Sequence, residues 1–397
     1  MIPRLKPALG GRELAALARV PRRGGVEAFE AAFAREMGQR HAVAFPYGRT
    51  GLVMVLKALG LEGREVICPA YTCVVVPHAV VRAGAEPVFV DSRPGDFNMD
   101  LEQARAAITE RTGAIVATSI FGYPVDLERL DAIRRDFPHV RVIQDCAHSF
   151  AAEWRGRPVQ REGDAAIFGL NVSKLVTSIF GGMVTTDSDE LAHGLRALRE
   201  REVHPASPAK EARRLAYLLA VYPAFWPPLY TLVNGLERSG VLDRFVRYYD
   251  ESQITMPGDY LEMMTSTEGW VGVAQLRRYR EIVERRRALA ALYDRELRGL
   301  PGLELPPLVE GATYSHYVAR TPDRAALLRA ALGRGVQLGQ LIEYCIPAMQ
   351  SYRSRPAARP GPWPVADALS RTTVNLPLGA GERGARKTIR VLREVLG

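Results

Sequence analysis

Two side chains of opposite charge, Asp145 and Lys174, carry the chemistry most readable in this chain. Asp145 closes the apolar run Val140-Arg-Val-Ile-Gln-Asp145 and is followed by Cys146-Ala-His148. Lys174 ends the polar stretch Leu170-Asn-Val-Ser-Lys174, shortly before the Gly181-Gly182 pair. An acid at a strand end and a lysine in a loop suit pyridoxal phosphate. The amine forms an imine with the aldehyde, and the carboxylate keeps the pyridine nitrogen protonated so that the ring accepts electrons. Lysines are common on surfaces, so the pair gains meaning only from what surrounds it.

The elements that must position these groups alternate. Val26 to Met37 has apolar residues at helical spacing, with glycines just outside. Short apolar runs follow at Glu65–Pro69, Pro87–Asp91, Ala114–Thr118, Val140–Ile143 and Ala165–Phe168, mostly with helical patterns between them, and Gly182–Asp187 is a further strand. This alternation predicts an α/β fold with a mainly parallel sheet covered on both faces. Sites in such sheets collect at the carboxyl ends of strands, where Asp145 falls and just beyond which Lys174 lies. The C-terminal part reads as a small α+β domain: an arginine-rich helix over about 269–297, a strand-like Tyr314–Arg320, and helices over about 322–334 and 381–396. The expected division is a large domain over 1–264, with an apolar insertion at about 205–260, and a small domain over 265–397.

Composition narrows the partners. The 53 basic and 44 acidic residues leave a net charge of +9, which attracts nucleic acid, an anionic membrane or an anionic substrate. No zinc, helix-turn-helix or glycine-aromatic signature supports nucleic acid. The four cysteines show neither a CxxC pair nor metal-ligand spacing, so free thiols in a cytoplasmic protein are expected, with no metal. The N-terminus lacks the apolar core of a signal peptide.

The insertion is the exception to this soluble pattern. Leu215 to Leu236 contains no charged residue, and Arg213-Arg214 and Glu237-Arg238 flank it. Its length suits a membrane span, but Pro223, Pro227 and Pro228 break a straight helix and favour a helical hairpin. The plain reading is a subunit interface or lid. The alternative is a peripheral foot at the inner membrane face, with Trp226, tyrosines and nearby arginines at head-group depth. Arg277, Arg278, Arg280, Arg285, Arg286 and Arg287 read as a solvated face, with contact to an anionic ligand or membrane as the alternative.

Nine short motifs, in order, resemble the DegT/DnrJ/StrS family of pyridoxal-phosphate sugar aminotransferases. They are Tyr47-Gly-Arg-Thr-Gly-Leu52, Pro69-Ala-Tyr-Thr72, Gly84-Ala-Glu-Pro-Val-Phe-Val-Asp91, Phe97-Asn-Met-Asp100, Gly122-Tyr-Pro-Val-Asp126, Asp145-Cys-Ala-His148, Gly163-Asp164, Ser173-Lys174 and Gly181-Gly-Met183. The resemblance implies the aspartate aminotransferase fold (fold type I) and a homodimer with sites at its interface. It implies that Lys174 carries the cofactor imine, Asp145 pairs with the pyridinium and His148 lies beside the ring. Gly48, Arg49 and Thr50 open a helix whose N–H groups and hydroxyl suit the cofactor phosphate.

The departures fall around the cofactor. Cys73 stands where the family stacks an aromatic residue, and Gly169 where it has a phosphate-binding serine, a contact for which Ser173 is the nearby substitute. Leu261 and Met263 replace an Asn-x-Arg pair that the neighbouring subunit lends to the phosphate. The implied reaction is ping-pong transfer from an amino acid, glutamate first, to a keto sugar on a nucleotide or lipid diphosphate. The alternatives are a sugar dehydratase or lyase, which the retained Lys174 disfavours, and a non-catalytic sensor or assembly protein. His316 and Arg320 are further candidates to reach the substrate.

Overall fold

The computed structural model of the chain describes residues 1–19, 24–225, 229–231, 234–235, 251–355 and 362–397. Its strands are β1 (His41–Phe45), β2 (Glu65–Pro69), β3 (Glu86–Val90), β4 (Thr112–Thr118), β5 (Arg141–Asp145), a short hairpin of β6 (Glu153–Trp154) and β7 (Arg157–Pro158), β8 (Ala165–Gly169), β9 (Gly182–Thr186), β10 (Tyr317–Arg320) and β11 (Thr373–Leu376). Seven of them form one sheet in the order β1-β9-β8-β5-β4-β2-β3. The ladders from β8 through β5, β4 and β2 to β3 are parallel, while β9 runs antiparallel to both β8 and β1.

Alternation within these strands explains why the sheet is covered twice. Val43, Phe45, Val66, Cys68, Ala114 and Val116 belong to one apolar core, and their neighbours Ala42, Ala44, Ile67, Ile115 and Ala117 to another. Successive side chains of a strand point to opposite faces, so two cores require two covering layers. Strand β1, His41-Ala-Val-Ala-Phe45, was not read from the sequence.

The C-terminal part has its own antiparallel pair, β10 with β11, and ends in the helix Gly381–Leu396. The arginine-rich helix predicted over 269–297 is two helices, Ser266–Leu276 and Tyr279–Leu297. Arg278 breaks the line between them: its N–H bonds to the Gln275 carbonyl at 2.9 Å, and its guanidinium pairs with the fully buried Glu13 at 3.1 Å. The reading of one solvated basic face therefore needs correction. Arg277, Arg280 and Arg285 are exposed, but Arg286 is buried.

The insertion begins as the helix Pro208–Ala224, with Pro223 in its last turn. Residues 226–228, 232–233 and 236–250 lie outside the described residues, and with them Trp226 and most of the second arm of the expected hairpin. Arg214 is buried rather than set at head-group depth, because it is ion-paired to Asp259 at 2.7 Å and Glu268 at 3.1 Å. Leu218 packs with Ile179 and Val271, while Leu219, Tyr222 and Leu229 are exposed. Among the described residues, no helix is long and apolar enough to cross a membrane.

Candidate active site

The site forms where β4, β5 and β8 end. Register sets Thr118 beside Asp145, the last residues of their strands. The Asp145 carboxylate is buried. Its Oδ1 accepts from the Ala147 N–H at 3.0 Å and its Oδ2 from the Thr118 hydroxyl at 3.2 Å. Among the described residues it forms no ion pair. Burial raises its pKa, against the Ala147 bond, the charge of Lys174 and the Thr118 bond.

Lys174 hangs from a loop closed at its neck. The Leu170 N–H bonds to the Gly181 carbonyl at 3.0 Å, and the Ser178 N–H to the Leu170 carbonyl at 2.9 Å. Asn171 shapes the turn: its Oδ1 accepts from the Ser173 N–H at 2.9 Å and from the Ser173 hydroxyl at 2.6 Å. The Ser173 hydroxyl thus donates inside the loop, which leaves its lone pairs rather than its proton for a phosphate. The Lys174 amine makes no hydrogen bond or ion pair among the described residues. Burial lowers its pKa and Arg49 adds to this, while Cys73 and Asp145 oppose it. Cys73 is therefore beside the lysine, and the structure places no aromatic ring there from that position.

The helix Gly48–Ala58 starts against two backbones. A Cβ at Gly48 would lie 2.9 Å from the Gly169 Cα, and one at Gly182 would lie 2.2 Å from the Gly48 nitrogen. Only glycines let this helix start sit so close to the strand ends that flank the lysine loop. Arg49 is half-buried, and its charge reaches both Lys174 and His78. Thr50 is buried, with its hydroxyl donating to the Tyr260 carbonyl at 2.9 Å, so its contribution to an anion is its place in the first turn.

His148 stacks on Phe121 at 5.9 Å and tilts against His316 at 5.4 Å. The Phe121 N–H donates to its Nδ1 at 3.3 Å, which assigns the proton of the neutral ring to Nε2. Burial first, then Lys174 and His316, holds its pKa well below the usual value. His316 comes from the C-terminal part, and burial, Arg286 and Lys174 push it down to about 3. Of the two late candidates only His316 reaches the site. Arg320 lies on β10 and is bound to Glu304.

Sequence reasoning missed Thr118, Phe121 and a charged cluster behind the helix start. In that cluster the Tyr47 hydroxyl donates to Asp259 at 2.6 Å and accepts from Arg214 at 3.0 Å. Lys210 lies 3.4 Å from Asp259, and the Arg214 guanidinium covers the Phe180 ring at 4.0 Å. Arg214 and Lys210 are four residues apart on one helix, and that spacing was the available signal.

The residues present fit pyridoxal phosphate. A buried carboxylate without a cation partner suits a pyridinium, a lysine without a polar partner suits an aldehyde, and a glycine-lined helix start beside Arg49 suits a phosphate.

A family description, that of the DegT/DnrJ/EryC1/StrS aminotransferases, matches residues 22–217 and 229–390. An uncharacterised protein of Methanocaldococcus jannaschii is 30% identical over 70% of this chain and 64% of its own length. GDP-perosamine synthase of Caulobacter vibrioides is 38% identical over 45% of this chain and 48% of its own length. The chain thus spans less than two thirds of either relative. The sugar aminotransferase CalS13 from Micromonospora echinospora superposes with a TM-score of 0.78 at 25% identity, covering 99% of this chain and 100% of the other.

Proposed function

Because this chain belongs to the DegT/DnrJ/EryC1/StrS aminotransferase family, we propose that it is a pyridoxal-phosphate-dependent aminotransferase. It moves an amino group from an amino acid, with glutamate the first donor to test, to a keto sugar carried on a diphosphate. The observation that carries this reading is the pairing of Asp145, buried without a cation, with Lys174, an amine without a polar partner.

Bound pyridoxal phosphate supplies an aldehyde carbon and an electron-accepting ring. Asp145 would hold the proton on the ring nitrogen. Lys174, made less basic by burial, would act as nucleophile and then carry a proton as general acid and base. His148 offers its Nε2–H to an oxygen beside the ring. The helix start at Gly48, with Arg49 and Thr50, faces the phosphate, and Ser173 steadies the lysine turn. One site serving donor and acceptor in succession gives ping-pong kinetics.

The carrier is first a nucleotide, as in the name of GDP-perosamine synthase. A lipid diphosphate is supported by one observation, the exposure of the apolar side chains Leu219, Tyr222 and Leu229 in the insertion. A homodimer, as the family resemblance implies, is part of the proposal.

The test is the absorbance spectrum of the protein with pyridoxal phosphate, before and after glutamate, beside Lys174→Ala. We expect a visible band that glutamate bleaches in the wild type and that never forms in the variant. A band indifferent to every amino donor would turn the reading to lyase chemistry. No band at saturating cofactor would end it and leave a binding or assembly role.

A further inference from the structure

The basic run of the helix Tyr279–Leu297 contains one arginine with an unusual setting. Arg286 is 7% exposed, and among the described residues no carboxylate pairs with it. Its Nη1 donates to the Ser315 carbonyl and, at 3.4 Å, to the Tyr314 carbonyl. A buried charge without a counter-charge is penalised by desolvation, so a guanidinium held by carbonyls alone is an expensive way to fasten a loop. Hydrophobic periodicity makes its burial no accident of packing: Ile282, Val283, Leu289, Ala290 and Tyr293 line the same buried face.

The carbonyls it holds belong to a constrained turn. Tyr314 has φ +46°, a left-handed conformation that strains a non-glycine residue. Across the seam Phe121 also has φ +55°. The two turns are joined by the Thr313 N–H to the Gly122 carbonyl at 3.0 Å and the His316 N–H to the Phe121 carbonyl at 3.4 Å. A Cβ at Gly122 would lie 2.7 Å from the Tyr314 nitrogen, so the turns are in close backbone contact. Phe121 in turn donates to His148 and lies edge-on to His316 at 6.0 Å. Arg286 therefore stands at the base of a chain of contacts ending on both imidazoles beside Lys174.

We propose that Arg286 is a positioning residue, setting the His316–His148 pair through the Tyr314 and Ser315 carbonyls. The inference rests on the aminotransferase reading for its effect on rate, but not for its effect on the imidazoles. The groups facing His316 are Lys174 from the loop after β8, His148 from the turn after β5, Arg286 from the helix behind, and its own neighbour Ser315, whose hydroxyl lies 3.1 Å from Nδ1. Lys174 and Arg286 are cations, and both disfavour a second proton on the ring. Removing Arg286 takes away one of these and frees the turn that aims the other imidazole.

The experiment compares the wild type with Arg286→Met and Arg286→Lys as full-length protein. It uses nitrogen-15 NMR of the imidazoles from pH 5 to 8 without cofactor, and the pH profile of glutamate bleaching with pyridoxal phosphate. In the wild type we expect His148 fixed as the Nε2–H tautomer and no protonation of His316 across this range. In Arg286→Met we expect mixed tautomers at His148, a His316 that titrates within the range, and a bleaching rate down about 100-fold with a new ionisation on its acidic limb. Arg286→Lys should restore the tautomer and most of the rate.

Unchanged imidazole signals and an unchanged pH profile in Arg286→Met, with only a lower melting temperature, would overturn the proposal. So would a wild-type His316 that titrates near its ordinary value, a result available even if the methionine variant does not fold. If the wild type fails to bleach, the aminotransferase reading falls while the imidazole signals still decide the role of Arg286.

Discussion

Asp145 serves its proposed chemistry at the expense of the unliganded fold. Among the described residues its carboxylate is buried with two hydrogen bonds and no ion pair, with only the charge of Lys174 acting on it, and such a group is penalised until a cation pairs with it directly. Asp145→Asn keeps the shape and removes the charge. It should stabilise the cofactor-free protein by about 1–3 kcal/mol, the size of an unsatisfied desolvation penalty. It should also slow the glutamate half-reaction by about 100-fold or more, as when a preorganised electrostatic partner is removed. Denaturant midpoints without cofactor, set beside single-turnover bleaching, check both signs. A variant that is less stable and equally fast would mean that Asp145 is a structural acid. The first-turn residues differ in kind: Gly48 matters through the side chain it lacks, Arg49 through charge, and Thr50 through its bond to Tyr260.

The helix Pro208–Ala224 is fastened by charge more than by grease. Lys210 and Arg214 are buried, and they meet Asp259, Glu268 and the Tyr47 hydroxyl at the turn that starts the Gly48 helix. Arg214→Met leaves the buried Glu268 and the half-buried Asp259 with Lys210 alone and should cost about 3–5 kcal/mol. Limited proteolysis should then cut the insertion helix well before the sheet unfolds; resistance equal to wild type would show that the cluster does not fasten it. The sequence concealed this, because Arg213-Arg214 read as one flank of an apolar stretch while only Arg213 is exposed.

What the sequence did reveal was the strand pattern, since two-face burial writes itself as apolar runs at Ile67 or Val116. It also marked the Asp145–Lys174 pair. Several motif residues prove to be local scaffolding: Asp100 and Asp126 cap the helices that follow them. Long-range partners left no local trace. The carboxylate of Asp91 accepts from the Val365 and Ala366 N–H groups at 3.0 and 2.7 Å, a contact across most of the chain that no spacing rule anticipates.

Three of the seven histidines, His78, His148 and His316, are held in an uncharged state mainly by burial. Burial and Arg49 push His78 down to about 4, His316 lies at about 3, and His148 is well below its ordinary value. Each is neutral in both folded and unfolded chains above about pH 6.5. As pH falls through 6.5 the unfolded chain takes up protons that the folded one refuses, so stability drops from there until each folded value is reached, about 4 for His78 and about 3 for His316. Asp145 and Glu268, raised mainly by burial, work in the opposite sense as pH falls through their raised values. Urea midpoints should therefore stay level from pH 8 to about 6.5 and fall from there to 4.5, and a profile flat over the whole range would contradict the buried neutral imidazoles.

One connection joins these scales. Strands β8 and β9 are adjacent, with Gly169 opposite Gly182, so the loop bearing Lys174 leaves and re-enters the sheet at the same rung. Both ends of that loop are moored to the seven-stranded sheet. In the proposed chemistry the Lys174 side chain lets go of its partner and recaptures it on every cycle, and so needs a fixed anchorage more than it needs freedom. Here the anchorage is a noose drawn tight at the neck, and the lysine's own four-carbon stem is left to do the swinging.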